Sequence, residues 1–401
     1  MAKFNGSAGR WLTRVATVVA ALALAACGGV GGGDGGGSAS GDGTLRVALT
    51  DAPSCYEHVF VTVEKVGVHA NARAGDNDAG WRDLTLAAPR RIDLLSLTNG
   101  VLEELGSMAL PPGDYSQLRL VLAANSGQQP LANAVQPIGG TLTPLKTPSA
   151  QQSGLKLQVH FNVESNKLVD FVLDFDACKS VVRRGNSGHY NLKPVIAVTP
   201  RVISVGTIEG FVDPSLAAAA RVSAQSAGNP VKATAPDAVT GKFVLYPVPV
   251  GTYALVLTHP TRVTAAVLGV PVVASAAPTV VGAASAPLLP PSAASAPRAV
   301  TGTVSTTPQA SASVRAMQSI ASTPVEVAFT NADDINGAFA LTLPVSAPVW
   351  VNYAPTPTPF AFTVDAAAAG LYTLQAASGS VTKSQLIDTK AVVPPLLFTF
   401  P

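Results

Sequence analysis

Asp170, Asp174 and Asp176 alternate with Val169, Phe171, Leu173 and Phe175. Successive side chains of a strand point to opposite faces, so the pattern predicts an apolar face backed by a row of three carboxylates. Such a row could coordinate a hard cation such as calcium, which prefers oxygen ligands. It could also place a proton for hydrolysis, as carboxylate pairs do in glycosidases. The plainer role is a solvated outer face whose like charges discourage edge pairing, and that is the expectation. Asp51, just after an early strand, is a fourth carboxylate that could join them. The histidines His58, His69, His160, His189 and His259 are scattered without an HExxH or paired spacing, so solvated or locally bonded rings are expected. Cys55 and His58 are three residues apart at a turn-to-strand boundary, which is proximity and not a nucleophile–base dyad. No nucleophile elbow, Walker loop or dinucleotide fingerprint follows a strand, and the glycines at 28–37 lack the flanking strand and helix that phosphate cradling needs. Arg183 and Arg184 beside Lys179 read as the solvated flank of a turn. Trp81 and Trp350 could each stack on a sugar, with half-buried packing the default. No catalytic residue, resident metal or cofactor is assigned.

Composition narrows the classes further. The 401 residues are 47% hydrophobic and 12% charged, with a formal net charge of +2. A globular domain is ordinarily about 25% charged, so acids and bases for catalysis are scarce. A nucleic-acid binder needs a basic footprint, and a disordered chain needs low hydrophobicity with high net charge. Neither description fits. Length gives a prior of two to three domains.

The elements that must position these residues are strands. Leu155, Leu157, Val159, Phe161 and Val163 alternate with Lys156, Gln158, His160 and Asn162, and Leu118, Leu120 and Leu122 line another face. Val59, Val61 and Val63 share a phase that shifts by one at Val66 and Val68, predicting a bulge near Glu64-Lys65. Before residue 200 a short helix is expected only around Val101–Met108. Beyond residue 202 the composition shifts to Ala, Val, Pro, Ser and Thr, and the chain repeats itself. Gly206–Val212 is echoed by Val300–Val304, Arg221–Gln225 by Val314–Gln318, and Gly241–Leu245 by Gly337–Leu341, at nearly constant offset. Gly251–Leu255 finds its echo only at Gly370–Leu374, implying about 23 extra residues in the second copy. A Gly-x-Tyr motif recurs at Gly113–Tyr115, Gly251–Tyr253 and Gly370–Tyr372. A tyrosine just inside a strand can anchor the preceding corner through its hydroxyl, as in sandwich folds.

Residues 1–26 comprise a basic region (Lys3, Arg10, Arg14) and an apolar run, Val15–Ala26, too short for the roughly 20 residues of a membrane-spanning helix. They read as a signal peptide. Leu24-Ala25-Ala26-Cys27-Gly28 resembles the lipobox of bacterial lipoproteins, which implies cleavage before Cys27 and its acylation. Gly28 in place of Asp implies sorting to the outer membrane. The segment 27–43 is then a Gly-rich tether with a reach of roughly 20–25 Å. Without the signal the remaining chain is slightly acidic. In an oxidising envelope, Cys55 and Cys178 would close one disulfide; the alternative is two buried free thiols.

Residues 44–200 resemble the envelope family called domain of unknown function 4382. The resemblance rests on Leu49-Thr50-Asp51-Ala52-Pro53, Asp93–Gly100, Leu110–Tyr115, Leu173–Val182 and Tyr190–Ile196. It implies fold and address, and no activity. Residues 202–285 resemble carboxypeptidase regulatory-like (transthyretin-like) sandwiches through Gly206–Val212, Thr240–Phe243 and Val248–Tyr253, and the 298–401 copy keeps less of that pattern. The expected architecture is all-β. An antiparallel sandwich or barrel over 44–200 is followed by two small sandwiches, 202–285 and 298–401, joined by an Ala/Ser/Pro linker at 286–297. The expected function is a non-catalytic, lipid-anchored envelope protein with a binding or display role. Alternatives are a carbohydrate-binding module for polysaccharide or peptidoglycan, and a calcium-binding domain using Asp170, Asp174 and Asp176. The implied partners are the membrane, through the anchor, and a glycan or envelope protein, but not nucleic acid.

Overall fold

The alternating patterns become buried faces. Val59, Val61, Val63, Val66 and Val68 are all fully buried on the strand His58–His69. They can share one face because the ladder to both neighbouring strands slips a residue between Val63 and Lys65, as the phase shift requires. The structure, a computed structural model, describes residues 41–52, 55–147, 154–201, 204–355 and 359–401. The signal segment 1–26, Cys27 and the tether up to residue 40 lie outside them. The described residues form 28 strands and four short helical turns, within one unit, Ser40–Pro401. That unit holds three separate apolar cores, each between two sheets.

In the first lobe a four-stranded sheet runs in the order Ile196–Pro200, Leu168–Phe175, Gly43–Asp51, Glu103–Leu110. An eight-stranded sheet containing His58–His69, Gly113–Leu122 and Leu155–Val163 closes over it. The central pair Gly43–Asp51 and Leu168–Phe175 is parallel, so the lobe is mixed where an antiparallel sandwich was expected. Parallel neighbours need a long crossover, and most of the lobe lies between these two strands. The helix expected around Val101–Met108 is instead the strand Glu103–Leu110, paired antiparallel with Gly43–Asp51. Gly106 at φ +143 disfavours a helix there. Pairing also buries Leu105 and Leu110, which a surface helical turn would not achieve.

The second and third lobes repeat one topology. Val205–Phe211 lies between Lys242–Pro249 and Thr279–Val281, and Arg298–Ser305 lies between Ala338–Leu343 and Leu396–Thr399. The facing sheets begin Asn229–Thr234, Arg221–Ser226, Gly251–Thr258, Ala265–Val272 in one lobe. In the other they run Thr323–Asn331, Ala312–Ile320, Leu371–Ser378, Val381–Asp388. Gly241 and Gly337 occupy matching turns at φ +72 and +68, where a Cβ would strike the carbonyls of Val212 and Val304. The 286–297 stretch is not a free linker. Leu288 is 1% exposed within the second core and Val263 N donates to Pro291 O at 3.2 Å.

The Gly-x-Tyr motif anchors a corner in every lobe. Tyr115, Tyr253 and Tyr372 hydroxyls donate to the carbonyls of Pro111, Pro249 and Pro344 at 3.1, 2.7 and 2.8 Å. Donor and acceptor are 4 residues apart in the first two lobes but 28 apart in the third. The extra residues of the second repeat are thus an insertion spliced into a corner whose bond survives. The insertion carries Val349–Asn352, which pairs parallel with Ala265–Val272 of the second lobe, and Thr363–Val364, which pairs with Val349–Asn352 in turn. A small fourth apolar cluster joins the two lobes through Val256, Ala266, Ile320 and Val325, with Trp350 against it. Replacing Tyr253 or Tyr372 with Phe should cost about 1 kcal/mol each, the net worth of an ordinary hydrogen bond, measured by urea denaturation.

Candidate functional site

The aspartate row does not converge on a ligand. Asp170, 2% exposed, accepts from Arg46 and, at 2.8 Å, from Arg201 Nε; Arg201 Nη1 also reaches Glu104 at 2.9 Å. Asp174 faces Lys232 of the second lobe, with 2.8 Å between Oδ1 and Nζ. That pair is off the hydrogen-bonding direction, so its attraction is coulombic. Asp176 lies beyond the strand end and caps the one-turn helix Ala177–Ser180 by accepting from Lys179 N at 3.0 Å. The solvated outer face expected of this row is in fact covered, and each carboxylate has its own protein partner. Among the described residues no group of three or more His, Cys, Asp or Glu side chains could hold a metal ion.

These residues sit where three lobes meet. Cys55 and Cys178 form a disulfide, Cα–Cα 5.5 Å, that pins the Ala177–Ser180 turn. Asp51 supports the same turn, its buried Oδ1 accepting from Ala177 N at 3.0 Å. The second lobe approaches through Arg221, whose Nη1 lies 3.7 Å from Cys178 Sγ. The third approaches through Asn331, which donates to Lys179 O at 2.9 Å and Val181 O at 3.3 Å. Lys179 extends to Glu326 at 3.3 Å and so does not join Arg183 and Arg184 in a solvated patch. Glu326 and Gln225 exchange backbone-to-amide bonds of 2.7 and 2.8 Å between the third and second lobes. Lys193 and Asn191 both bind Asp334, and Gly185 N donates to Asp333 at 2.6 Å. Asn99, at φ +61, receives Val244 N at 2.6 Å and donates its own N–H to Thr234.

The remaining candidates are bonded locally. His58 lies 2.6 Å from Asp93, and His69 lies between Ala79 O and Asn71 N. His160 contacts Val159 O, and His259 accepts from Thr261 N. The His189 backbone N–H donates to Ser187 Oγ at 3.3 Å. Trp81 donates to Gly75 O at 2.8 Å under the Arg119 guanidinium, 3.8 Å from its ring. Trp350 packs at the boundary between the second and third lobes. Both rings are half-buried, as packing by default requires.

The first lobe has an opening where its two sheets diverge. The edge strand Leu155–Val163 stands on one side and Leu168–Phe175 with Ile196–Pro200 on the other. The resulting cleft holds about 870 Å³. Val159, Phe161, Val169, Phe171, Ile196 and Val198 supply apolar surface, and Lys156, Gln158, His160, Asn162, Glu164 and Lys167 are its polar lining. Phe161 and Phe171 meet edge to face at 5.0 Å, which fixes the apolar wall. The alternation of Leu155–Val163 is legible in sequence; that its apolar face would line an open cleft is not.

Comparison with known proteins finds a match for one region of the chain. Residues 42–194 match DUF4382, a domain of unknown function. The matched region contains the disulfide, the three aspartates and most of the cleft lining, while Ile196, Val198 and Pro200 of that lining lie beyond it. Two solved structures align weakly, those of the Bacillus anthracis TIE protein and a streptococcal ancillary pilin. They are 10% and 9% identical over 90% and 89% of the chain, each with a TM-score of 0.16. The chain spans 50% of the former and 98% of the latter. A score that low carries neither fold nor function across. No curated protein matches the chain.

Substitutions and pH both probe the junction. Asp174→Asn leaves Lys232, 3% exposed, as an unpaired buried charge. It should cost about 3–5 kcal/mol, whereas Asp174→Leu with Lys232→Met should cost much less. Chemical denaturation of the two variants measures the difference. Burial pushes Asp51 well above its ordinary carboxyl range and raises Asp176 and Glu326 as well. The folded chain therefore keeps protons that the unfolded chain releases, and stability falls as pH rises from about 4 through the folded values. Asp213 and Asp237, held low by bonds from Ser215 and Thr240, act oppositely but only below that range. His259, held low by burial and by Arg262, is the one shifted group among the described residues that opposes the trend between pH 5 and 8, against three raised carboxyls. Thermal melts should be higher at pH 5 than at pH 8, and Asp51→Asn should flatten the slope.

Proposed function

We propose that the chain is a non-catalytic, lipid-anchored protein of the bacterial outer membrane that presents a binding cleft on a stiff three-lobed body. The observation that carries this reading is the use of the carboxylates. Asp170, Asp174, Asp176 and Glu326 answer cations within and between lobes, an arrangement that builds a support and prepares no reaction. The matched sheets of the second and third lobes suit carboxypeptidase regulatory-like spacers, locked together by the inserted strand. The binding end is the DUF4382 region, which the chain enters at Gly41, with Asp42 O accepting from Asn166 N at 3.3 Å. Acylation of Cys27 would supply more than one hydrocarbon chain, the condition for stable attachment.

Labelling with a palmitate analogue in a Gram-negative host tests the anchor. The wild-type chain should take up label and fractionate with outer membranes, and Cys27→Ser should do neither. Equal labelling of the two, or an unlabelled wild type, would remove the reading.

A further inference from the structure

The cleft of the DUF4382 region has a chemistry of its own. Its apolar wall, from Val159, Phe161, Phe171 and Val198, carries no ionised side chain, so what lies on it is hydrocarbon. The charged groups stand around it and are not balanced. Lys156 is paired with Asp76 at 2.7 Å, while Lys167 has no side-chain partner among the described residues. Asp170 also contributes to the lining, but two arginines answer its carboxylate. Glu164 shares the turn with Lys167 and is the one carboxylate of the described lining not answered by a cation; Asp114, outside the lining, is held by Asn162.

The turn bearing Lys167 is built firmly. Lys167 N donates to Glu164 O at 3.2 Å, and Lys167 O accepts from Thr44 N at 2.8 Å. Asn166 sits at φ +57. The lysine stem can therefore lie along the apolar opening with its ammonium in water, as long basic side chains do. A strand added to the edge Leu155–Val163 suits the site less well, because the His160 ring already occupies Val159 O at 2.5 Å. The volume of about 870 Å³ is within the range of small-molecule sites.

We propose that this cleft binds one long-chain fatty acid, its alkyl chain on the apolar wall and its carboxylate at Lys167. The proposal rests on reading this lobe as the binding end of the body. Its test, on the Ser40–Pro401 unit with all three cores, does not involve the Cys27 anchor, so the two can fail separately. Cis-parinaric acid should bind at one roughly micromolar site and be displaced by palmitate. Lys167→Glu should weaken palmitate by about tenfold, the scale of one charged contact, and leave hexadecanol unchanged. Val198→Trp should fill the cleft and abolish binding; if that variant does not fold, Leu157→Glu, on a half-buried residue of the same lining, should do the same. Absence of probe binding overturns the proposal. So does hexadecanol binding as tightly as palmitate, or binding confined to phosphatidylglycerol vesicles.

Discussion

The rest of the molecule depends on one turn of helix, Ala177–Ser180. It is too short to persist alone, since an isolated helix of four residues has not recovered the cost of nucleation. It persists because three groups hold it: the Cys55–Cys178 disulfide, the Asp176 cap and the buried Asp51 carboxyl on Ala177 N. Once fixed, the turn presents carbonyls to Asn331 of the third lobe and the Cys178 sulfur to Arg221 of the second. A covalent bond within one lobe thereby sets the docking surface for two others.

Around that turn the lobes are joined chiefly by polar groups. Lys232 to Asp174, Lys179 to Glu326 and Lys193 to Asp334 each cross a lobe boundary, and each uses a side chain that is largely or partly buried. Buried pairs are poor sources of net stability but costly to break singly. They favour a particular mutual orientation over the looser arrangements that an apolar contact would tolerate. The apolar part of the junction, around Ile320, Val325 and Val256, lies between the two repeats. There the inserted strand Val349–Asn352 also closes the open edge of Ala265–Val272. An edge strand left bare is a template for unwanted pairing, so the insertion ties two lobes and covers an edge in one step.

Such stiffness leaves the cleft as the open part of the first lobe. Its walls are the continuation of core faces, Phe161 and Phe171 among them, and its far end is held by the Glu164–Lys167 turn. The opening exists because the two sheets of the sandwich part along one side, between Leu155–Val163 and Ile196–Pro200, with no strand between them among the described residues.

Period-two alternation determined the strands, since burial of one face fixes which residues point inward. That is why Val59–Val68 with its bulge and Leu155–Val163 are legible in the chain by itself. Repetition determined the matched lobes and the size of the insertion, and the Gly-x-Tyr motif marked three corners, because each is a local pattern. The sequence could not say where the outward faces go. Asp170, Asp174 and Asp176 look like a solvated row until Arg201 and Lys232, 31 and 58 residues beyond their partners, arrive against them. Glu103–Leu110 looks helical until Gly43–Asp51 offers a partner strand. Asn99, Glu326 and Asn331 carry no signal at all, because a hydrogen bond between lobes leaves no periodicity in the chain. Local sequence governs which face is apolar; only tertiary packing decides what covers the other face.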